Sequence, residues 1–499
     1  MKLHPQFFSK KIKTFVKENP LLTTLFILST AFFLIQHYFD FSWDFAAYII
    51  NAKYLFYGGN YFEVYRAPLI SLILGPLLLL GNLAPYIYVL FVSSLFFYST
   101  KKLSDALFEK YFYKYKIKKK TLNLLFYFFS LNFFVLIFGL VVGTELLALA
   151  FFQLFIASFI LNKNYGHFLA LAFLSRYNFF VFVPFLFLNK NIKKILKNLF
   201  LFFLVAFPWF LFNKIQWGNW FSSIADSFYL NLFSRLDGVQ PFHFSSLFSV
   251  TNWFLPFVIL GLLVPFIILF RSKDRKISTY KYEILFGVIS LFFLYDIYSI
   301  PFKIVRYQFN LTLPIAFFST IGAIFILKNI RKDSWKKGFT IILSICFLIS
   351  IGIACQQSFK IEDSDTMYIE AAQDIAAQGL SKCQIISPHW VPANYYSGNV
   401  RFFPYSIDEG LENNEIMLIF YKYPTMDDRF EIKDINNYNL LSKGRSHIII
   451  ANPETTNKTC IKSKGFAHPM ISESCDTLSK KFKSQLLSDI FRKTCEIIN

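Results

Sequence analysis

The stretch WDFAAYIINAKYLFYGGNYFEVYRAPL, Trp43 to Leu69, carries an aspartate, a glutamate and an arginine: Asp44, Glu63 and Arg66. Similar groups recur along the chain. Asp40 lies just ahead, Glu145 follows FGLVVGT, Arg235 and His243 flank LDGVQPF, and Lys303 and Arg306 sit in PFKIVR. A carboxylate in such a set can take the proton of an attacking hydroxyl. Guanidinium and ammonium groups can grip a phosphate, arginine with two parallel hydrogen bonds.

What must position these groups is a membrane. The chain has 499 residues, is 55% hydrophobic and contains 67 Phe, well beyond the aromatic content of ordinary soluble domains. Leu21–Tyr38 carries no acidic or basic residue apart from His37. At about 1.5 Å per residue it nearly covers the roughly 30 Å hydrocarbon core. It is too long for a signal-peptide core, and no small-residue cleavage site follows it. A formal net charge of +20 would suggest nucleic acid in a soluble protein. Here Lys and Arg cluster in short loops between apolar runs, where they set topology. No nucleic-acid-binding motif accompanies them.

Parity then orders the spans. The N-terminus (Lys2, Lys10, Lys11, Lys13, Lys17) and the Lys101–Lys120 cluster are both basic, so both belong to the cytoplasm and an even number of crossings separates them. Leu69–Leu80, bracketed by Pro68 and Gly81, is too short to span and lies at the outer surface or dips in, which leaves Leu21–Tyr38 and Ala84–Thr100 as the two crossings. Residues 39–83 thus form one long outer loop with its own interfacial helices. Thr121–Phe138 goes out, Glu145–Leu161 returns, and Tyr165–Leu188 forms a hairpin of two short helices. Leu199–Phe212 goes out to a second outer loop, 213–250. Asn252–Phe270, Tyr282–Tyr298, Ile304–Leu327 and Gly338–Cys355 complete about eleven crossings. The fold class is a mainly α, polytopic membrane domain, residues 1–356, followed by an extracytoplasmic α/β domain, residues 357–499.

In that second domain Phe becomes sparse. SDTMYIEAAQDIAAQGL (Ser364–Leu380) reads as a helix stopped at Gly379. CQIISP (Cys383–Pro388), IMLIFY (Ile416–Tyr421) and HIIIA (His447–Ala451) read as buried strands. Cys383, Cys460, Cys475 and Cys495 permit two disulfides in three pairings. No metal-type cysteine spacing is present. Asn457-Lys-Thr is a glycosylation sequon where compartment and organism support one.

Charged residues at the outer end of a span are functional candidates by default, because charge near hydrocarbon costs free energy. Together they suit a reaction on a phosphate-bearing lipid at the outer leaflet. Plainer roles stand beside this one. Asp40 and Asp44 can mark the membrane exit, Glu63 and Arg66 can pair with each other, and Glu145 can favour a helix N-terminus. Arg235 and His243 can pair within their loop, and Lys303 and Arg306 can snorkel to the interface. Arg176 can tie its hairpin together. Trp43 and Tyr48 can anchor at the interface or stack on a sugar.

The pattern resembles the GT-C superfamily of multi-pass, lipid-linked-sugar glycosyltransferases. That group includes protein O-mannosyltransferases, aminoarabinose transferases and oligosaccharyltransferase catalytic subunits. Their large first outer loop carries a catalytic Asp, then Tyr, Ala, Gly-Gly and Arg-Pro-Pro-Leu. Here it reads Asp44-Phe45-Ala46-Ala47-Tyr48, Ala52, Gly58-Gly59 and Arg66-Ala67-Pro68-Leu69. GTELLALAFF (Gly143–Phe152), LALAFLSRYNFFVFVP (Leu169–Pro184), FPWFLFNKIQWGN (Phe207–Asn219) and SFYLNLFSRLDGVQPFH (Ser227–His243) resemble later signatures of the group. Two departures stand out: Phe45 replaces the usual acidic residue, and Ala67 one proline of the pair.

The resemblance implies inverting transfer from a polyprenyl-phosphate sugar to a lipid, glycan or protein hydroxyl, in the plasma membrane, with the N-terminus cytoplasmic. Asp44 would be the general base. Arg66, Arg235, Lys303 and Arg306 would stabilise the departing phosphate, and Asp40, Tyr48, Glu63 and Glu145 would line the substrate site. Relatives resembling the aminoarabinose enzyme use a Glu and a His that Glu63 and His243 match loosely, which implies a divalent metal cation. Two other classes compete. A transporter or flippase favours repeated halves and charges at mid-membrane. A receptor or scaffold would bind its partner through the outer α/β domain.

Overall fold

The computed structural model describes residues 13–39, 42–115, 117–189, 191–232, 245–271, 280–299, 305–359, 364–401, 416–421, 438–453, 455, 459–463 and 466–468. The chain divides into two compact units. The first comprises Met1–Tyr38, Tyr86–Phe212 and Leu230–Lys360; the second comprises Phe39–Pro85, Asn213–Tyr229 and Ile361–Asn499.

The first unit is helical. Among the described residues of the whole chain six helices are long and apolar enough to cross a membrane. They are Pro20–Phe39, Leu69–Lys110 (bent at Gly81), Ile192–Trp217, Leu247–Pro265, Arg306–Asn329 and Asp333–Ser358. Shorter apolar helices, Glu145–Ile160, Gly166–Ser175 and Tyr177–Phe187, lie among them. The expected count of about eleven includes such shorter pieces. One crossing expected from sequence is broken. Thr121–Phe138 is two helices, Lys119–Ser130 and Phe133–Phe138, because Asn132 turns out of the first and its side chain accepts from Val135 N at 2.9 Å. A capping asparagine satisfies a first-turn N–H and so starts a new helix.

Without a hydrophobic drive between helices in lipid, close packing must do the work, and small residues permit it. Leu255–Arg271 crosses Thr312–Asn329 at glycines. A β-carbon on Gly261 would stand 1.9 Å from the Phe318 carbonyl oxygen, and one on Gly322 2.3 Å from that of Phe257. Phe fills the rest of the core as well as facing outward. Phe152 meets Phe182 at 4.5 Å between centroids and Phe293 at 5.7 Å, all of them buried, whereas Phe200, Phe203 and Phe207 are exposed.

The second unit joins Phe39–Pro85 and Asn213–Tyr229 to the C-terminal residues. The helix Trp43–Tyr57 ends at Gly58, and strand β1, Tyr61–Glu63, follows. Leu69–Leu77 packs back on that helix. Ser71 Oγ donates to Tyr48 O at 3.0 Å, and Tyr57 Oη to Gly75 O at 2.8 Å. Phe62 of β1 stacks on Trp217 at 5.7 Å.

The C-terminal residues build a sheet from β2 (Ile385–Ile386), β3 (Val400–Arg401), β4 (Ile416–Phe420), β5 (Asn439–Lys443) and β6 (His447–Ala451), ordered β3-β2-β4-β6-β5. β2 runs parallel to β3 and β4, whereas β6 is antiparallel to β4 and β5. β4 and β6 are buried along their whole length. That is why they read as unbroken apolar runs. Met367, Ala371 and Ile375 of the helix Ser364–Ala377 cover one face. A seventh strand, β7 (Phe466–His468), pairs in parallel with β1. Cys383 and Cys460 form a disulfide; Cys475, Cys495 and the Asn457 sequon lie outside the described residues.

Candidate functional site

Local structure places Asp44. Ser42 accepts from Phe45 N at 3.2 Å and caps the helix Trp43–Tyr57, so Asp44 falls in its first turn, where a negative charge is favoured. From the same helix Asn51 reaches β1. It accepts from Glu63 N at 2.8 Å and donates to Glu63 O at 3.0 Å. That two-point grip fixes the backbone from which the Glu63 and Arg66 side chains depart.

Arg66 then spans two carboxylates. Its Nε pairs with Glu63 Oε2, and its Nη1 lies 2.9 Å from Asp44 Oδ1. The guanidinium carbon stands 5.2 Å from the ring centroids of both Tyr48 and Tyr65, within the range of cation–π attraction. Exposure falls along the chain of groups, from 24% at the Asp44 side chain to 8% at Arg66 and 1% at Glu63. Asp44 is thus the accessible end. Burial would discharge Arg66, but Glu63, Tyr65 and Asp44 more than offset it and hold its pKa above the ordinary value. Burial, then the charge of Glu63, push the Tyr61 and Tyr65 phenols well above their usual range. Both rings therefore stay neutral. The second oxygen of Glu63, Oε1, accepts from Trp390 Nε1 at 2.9 Å.

A second charged centre lies in the first unit. Gly143, at φ 89°, turns the chain into the helix Glu145–Ile160, and Tyr88 Oη holds that turn by donating to Gly143 O at 2.7 Å. Glu145 takes Thr144 Oγ1 on Oε2 and Arg176 Nη1 on Oε1, each at 2.8 Å. Arg306 Nε lies 3.8 Å from the same Oε1. Glu145 is 1% exposed, Arg176 16% and Arg306 24%. Arg176 occupies the extended break (φ −152°, ψ 120°) after the helix Gly166–Ser175. The hairpin therefore carries it back to the start of the Glu145 helix.

Of the candidates read from sequence, Asp44, Tyr48, Glu63 and Arg66 come together in the second unit, and Glu145 and Arg306 in the first. Asp40, Arg235, His243 and Lys303 lie outside the described residues. The metal pair of Glu63 and His243 finds no support. The described residues contain no group of three or more His, Cys, Asp or Glu able to hold a metal ion. Glu63 gives one oxygen to Arg66 and the other to Trp390, so a guanidinium already fills the place between the two carboxylates.

Sequence reading missed Asn51, Trp390 and Asp296, and gave Arg176 only a structural part. Asp296 accepts from Asn178 Nδ2 at 2.9 Å. It is a lone acid in an otherwise apolar stretch, ISLFFLYDIY, a signal that was available. Trp390 carried none.

No protein-family model matches the chain, and no curated protein does. Solved structures do. The crystal structure of ArnT from Cupriavidus metallidurans bound to undecaprenyl phosphate matches with a TM-score of 0.53 and 11% identity, over 87% of this chain and 99% of that one. The same protein in the apo state matches at 0.52 and 10%, with the same coverage. At such identity the likeness is one of fold. This chain is a multi-pass membrane protein with the mainly helical fold of ArnT and a small C-terminal sheet.

Proposed function

We propose that the chain is a membrane glycosyltransferase that moves a sugar from a polyprenyl-phosphate donor to an acceptor hydroxyl at the outer face of the membrane. The observation that carries this reading is Asp44, partly exposed at the start of the helix Trp43–Tyr57 and fixed at Oδ1 by a buried arginine, on the fold of a protein crystallised with undecaprenyl phosphate. Asp44 accepts the acceptor proton as its oxygen attacks the sugar C1. The bond from C1 to the phosphate oxygen breaks, and the polyprenyl phosphate leaves with the bonding pair. Attack opposite the leaving group inverts C1. Arg66 orients the base.

Developing phosphate charge calls for preorganised cations. Arg306, with Arg176 behind it, supplies a partly exposed pair of guanidinium groups on one buried carboxylate. Arg235 and Lys303 remain further candidates for the same task. The Cys383–Cys460 disulfide supports an outer, oxidising location for the C-terminal residues. The acceptor is a lipid, glycan or protein hydroxyl. A transporter or a scaffold would leave Asp44 no chemical task.

The test is a cell lacking this protein, complemented with wild type or with Asp44→Asn, followed by mass spectrometry of its lipids and glycans. One sugar modification should disappear in the null, return with wild type and stay absent with the variant. General-base catalysis contributes about 10²–10⁴-fold, so a variant that restores the modification at the wild-type rate would overturn the reading.

A further inference from the structure

We infer that Trp390, in the C-terminal part of the chain, is a positioning residue for the general base, acting through Glu63 and Arg66 on Asp44. This rests on the glycosyltransferase reading above and deepens it. The α/β residues become a working part of the catalytic unit and cease to be an appended domain.

The path is short and each step is a named contact. Trp390 Nε1 donates to Glu63 Oε1 at 2.9 Å, Glu63 Oε2 pairs with Arg66 Nε, and Arg66 Nη1 lies 2.9 Å from Asp44 Oδ1. The indole also stands edge-on to Trp43, the residue before Asp44, at 4.8 Å between centroids and 87°. Trp390 therefore touches the base's own helix by packing and its ion-pair chain by a hydrogen bond.

The helix Trp390–Ser397 is clamped there by independent contacts. Val391 packs in a buried cluster with Ala46, Ala47, Ile50 and Tyr61. Lys53 Nζ donates to Tyr395 O at 3.1 Å, and Asn60 Nδ2 to Gly398 O at 3.2 Å. The pairing of β1 with β7 sets Glu63 opposite His468 in the ladder. Two separate pieces of the C-terminal sequence, the stretch from Trp390 to Gly398 and β7, thus hold the strand that carries Glu63 and the helix beside it.

Physical chemistry says why the indole N–H matters. Glu63 is a carboxylate with 1% of its side chain exposed. An oxygen of such a group stripped of its donor must find another or move. The nearest cation is Arg66, already shared with Asp44. Any shift of Glu63 is passed to Arg66 and so to the direction in which Asp44 points. Small misplacements of a catalytic group carry large rate penalties.

The experiment compares Trp390→Phe with Trp390→Tyr in the full-length protein reconstituted in proteoliposomes, with kcat and KM for the lipid donor measured separately. Both variants keep an aromatic body; only tyrosine keeps a donor. Phe should lower kcat about 10-fold with KM within 2-fold of wild type, and Tyr should recover at least 3-fold of that loss. In an Asp44→Asn background the Phe substitution should change the residual rate by less than 2-fold, since its effect runs through Asp44. Equal losses in Phe and Tyr, an unchanged kcat in Phe, or the same 10-fold loss in the Asp44→Asn background would each overturn the inference. Should Trp390→Phe fail to fold, Glu63→Gln leaves the indole packing in place. It should lower kcat alone by a similar factor, and an unchanged kcat there would equally refute the relay. Wild-type activity in Asp44→Asn would instead sink the underlying function. The two failures are therefore distinguishable.

Discussion

The two charged centres are mirror images in composition. Around Arg66 one cation serves two carboxylates, Asp44 and Glu63; around Glu145 one carboxylate serves two cations, Arg176 and Arg306. Each keeps its central ion buried and leaves an outer member partly exposed. The first centre presents an excess negative group and suits a proton acceptor. The second presents an excess positive group and suits an anion. The sign of the surplus charge, more than the residue list, separates their chemistry.

Removing the central ion of each should break the symmetry most severely. Arg66→Ala leaves two carboxylates facing each other, one of them nearly inaccessible. Breaking one partner out of a buried pair costs about 3–5 kcal/mol, and activity should fall at least as far as in Asp44→Asn. Thermal unfolding and transfer rate measure the two losses. Arg66→Lys should not rescue, because a single ammonium cannot span both acids as the planar fork does. A lysine variant with near wild-type activity would refute the bridging role.

Redox chemistry separates the regions next. The second unit holds the Cys383–Cys460 disulfide, which closes a sequence separation of 77 residues, whereas the described cysteines of the first, Cys346 and Cys355, are free. A native cross-link of this kind contributes about 2–4 kcal/mol. Cys383→Ser with Cys460→Ser should lower the melting transition of the second unit by that amount. If Trp390 couples that unit to the base, kcat should fall with it. An unchanged melting profile would show that the sheet does not depend on the bridge.

The mirror centre predicts a smaller and different response. Arg306→Gln should raise KM for the lipid donor about 10-fold, or about 1.4 kcal/mol, with little effect on stability, because Arg306 is the looser and more exposed partner at 3.8 Å. Arg176→Gln should instead destabilise the helical core, since it makes the close contact with a buried acid. Glu145→Gln frees both cations and should lower that KM. A raised KM in Glu145→Gln would mean that the acid, not the arginines, meets the substrate.

How much of this was legible beforehand follows from the range of the interactions. The span Leu21–Tyr38 reappears as Pro20–Phe39, and the start at Glu145 is where sequence placed it. The three apolar strands fall on β2, β4 and β6. These features are local: run length, a Gly turn, an unbroken apolar stretch. The break at Asn132 was local too, but a single capping side chain inside an apolar run is a weak mark. Ile192–Trp217 extends past the predicted Leu199–Phe212, because lysines at a helix end can snorkel and do not terminate it. The contact of Trp390 with Glu63 joins residues 327 apart. No periodicity or motif encodes such a pairing. Arg176 meets Glu145 only because a hairpin turns where it does.

The smallest predicted effect is one of pH, read in the second unit. His447 begins β6 with a fully buried side chain, its Nε2 3.1 Å from Asp374 Oδ2. Burial lowers its pKa, and the opposing pull of Asp374 and Glu370 does not fully offset this. His389, beside Trp390, is lowered by burial as well. A depressed histidine binds its proton more readily in the unfolded chain, near the ordinary value of about 6.5, than in the folded one. Stability contributed by the neutral rings is therefore complete above that pH and declines as pH falls below it, by at most about 1.4 kcal/mol per pH unit for each ring. The melting temperature of the second unit should drop between pH 7.5 and 5.5, and His447→Gln should flatten the slope. A slope of opposite sign would mean that Asp374 holds His447 as a cation in the fold, and that the pair binds the sheet by charge where burial now dominates.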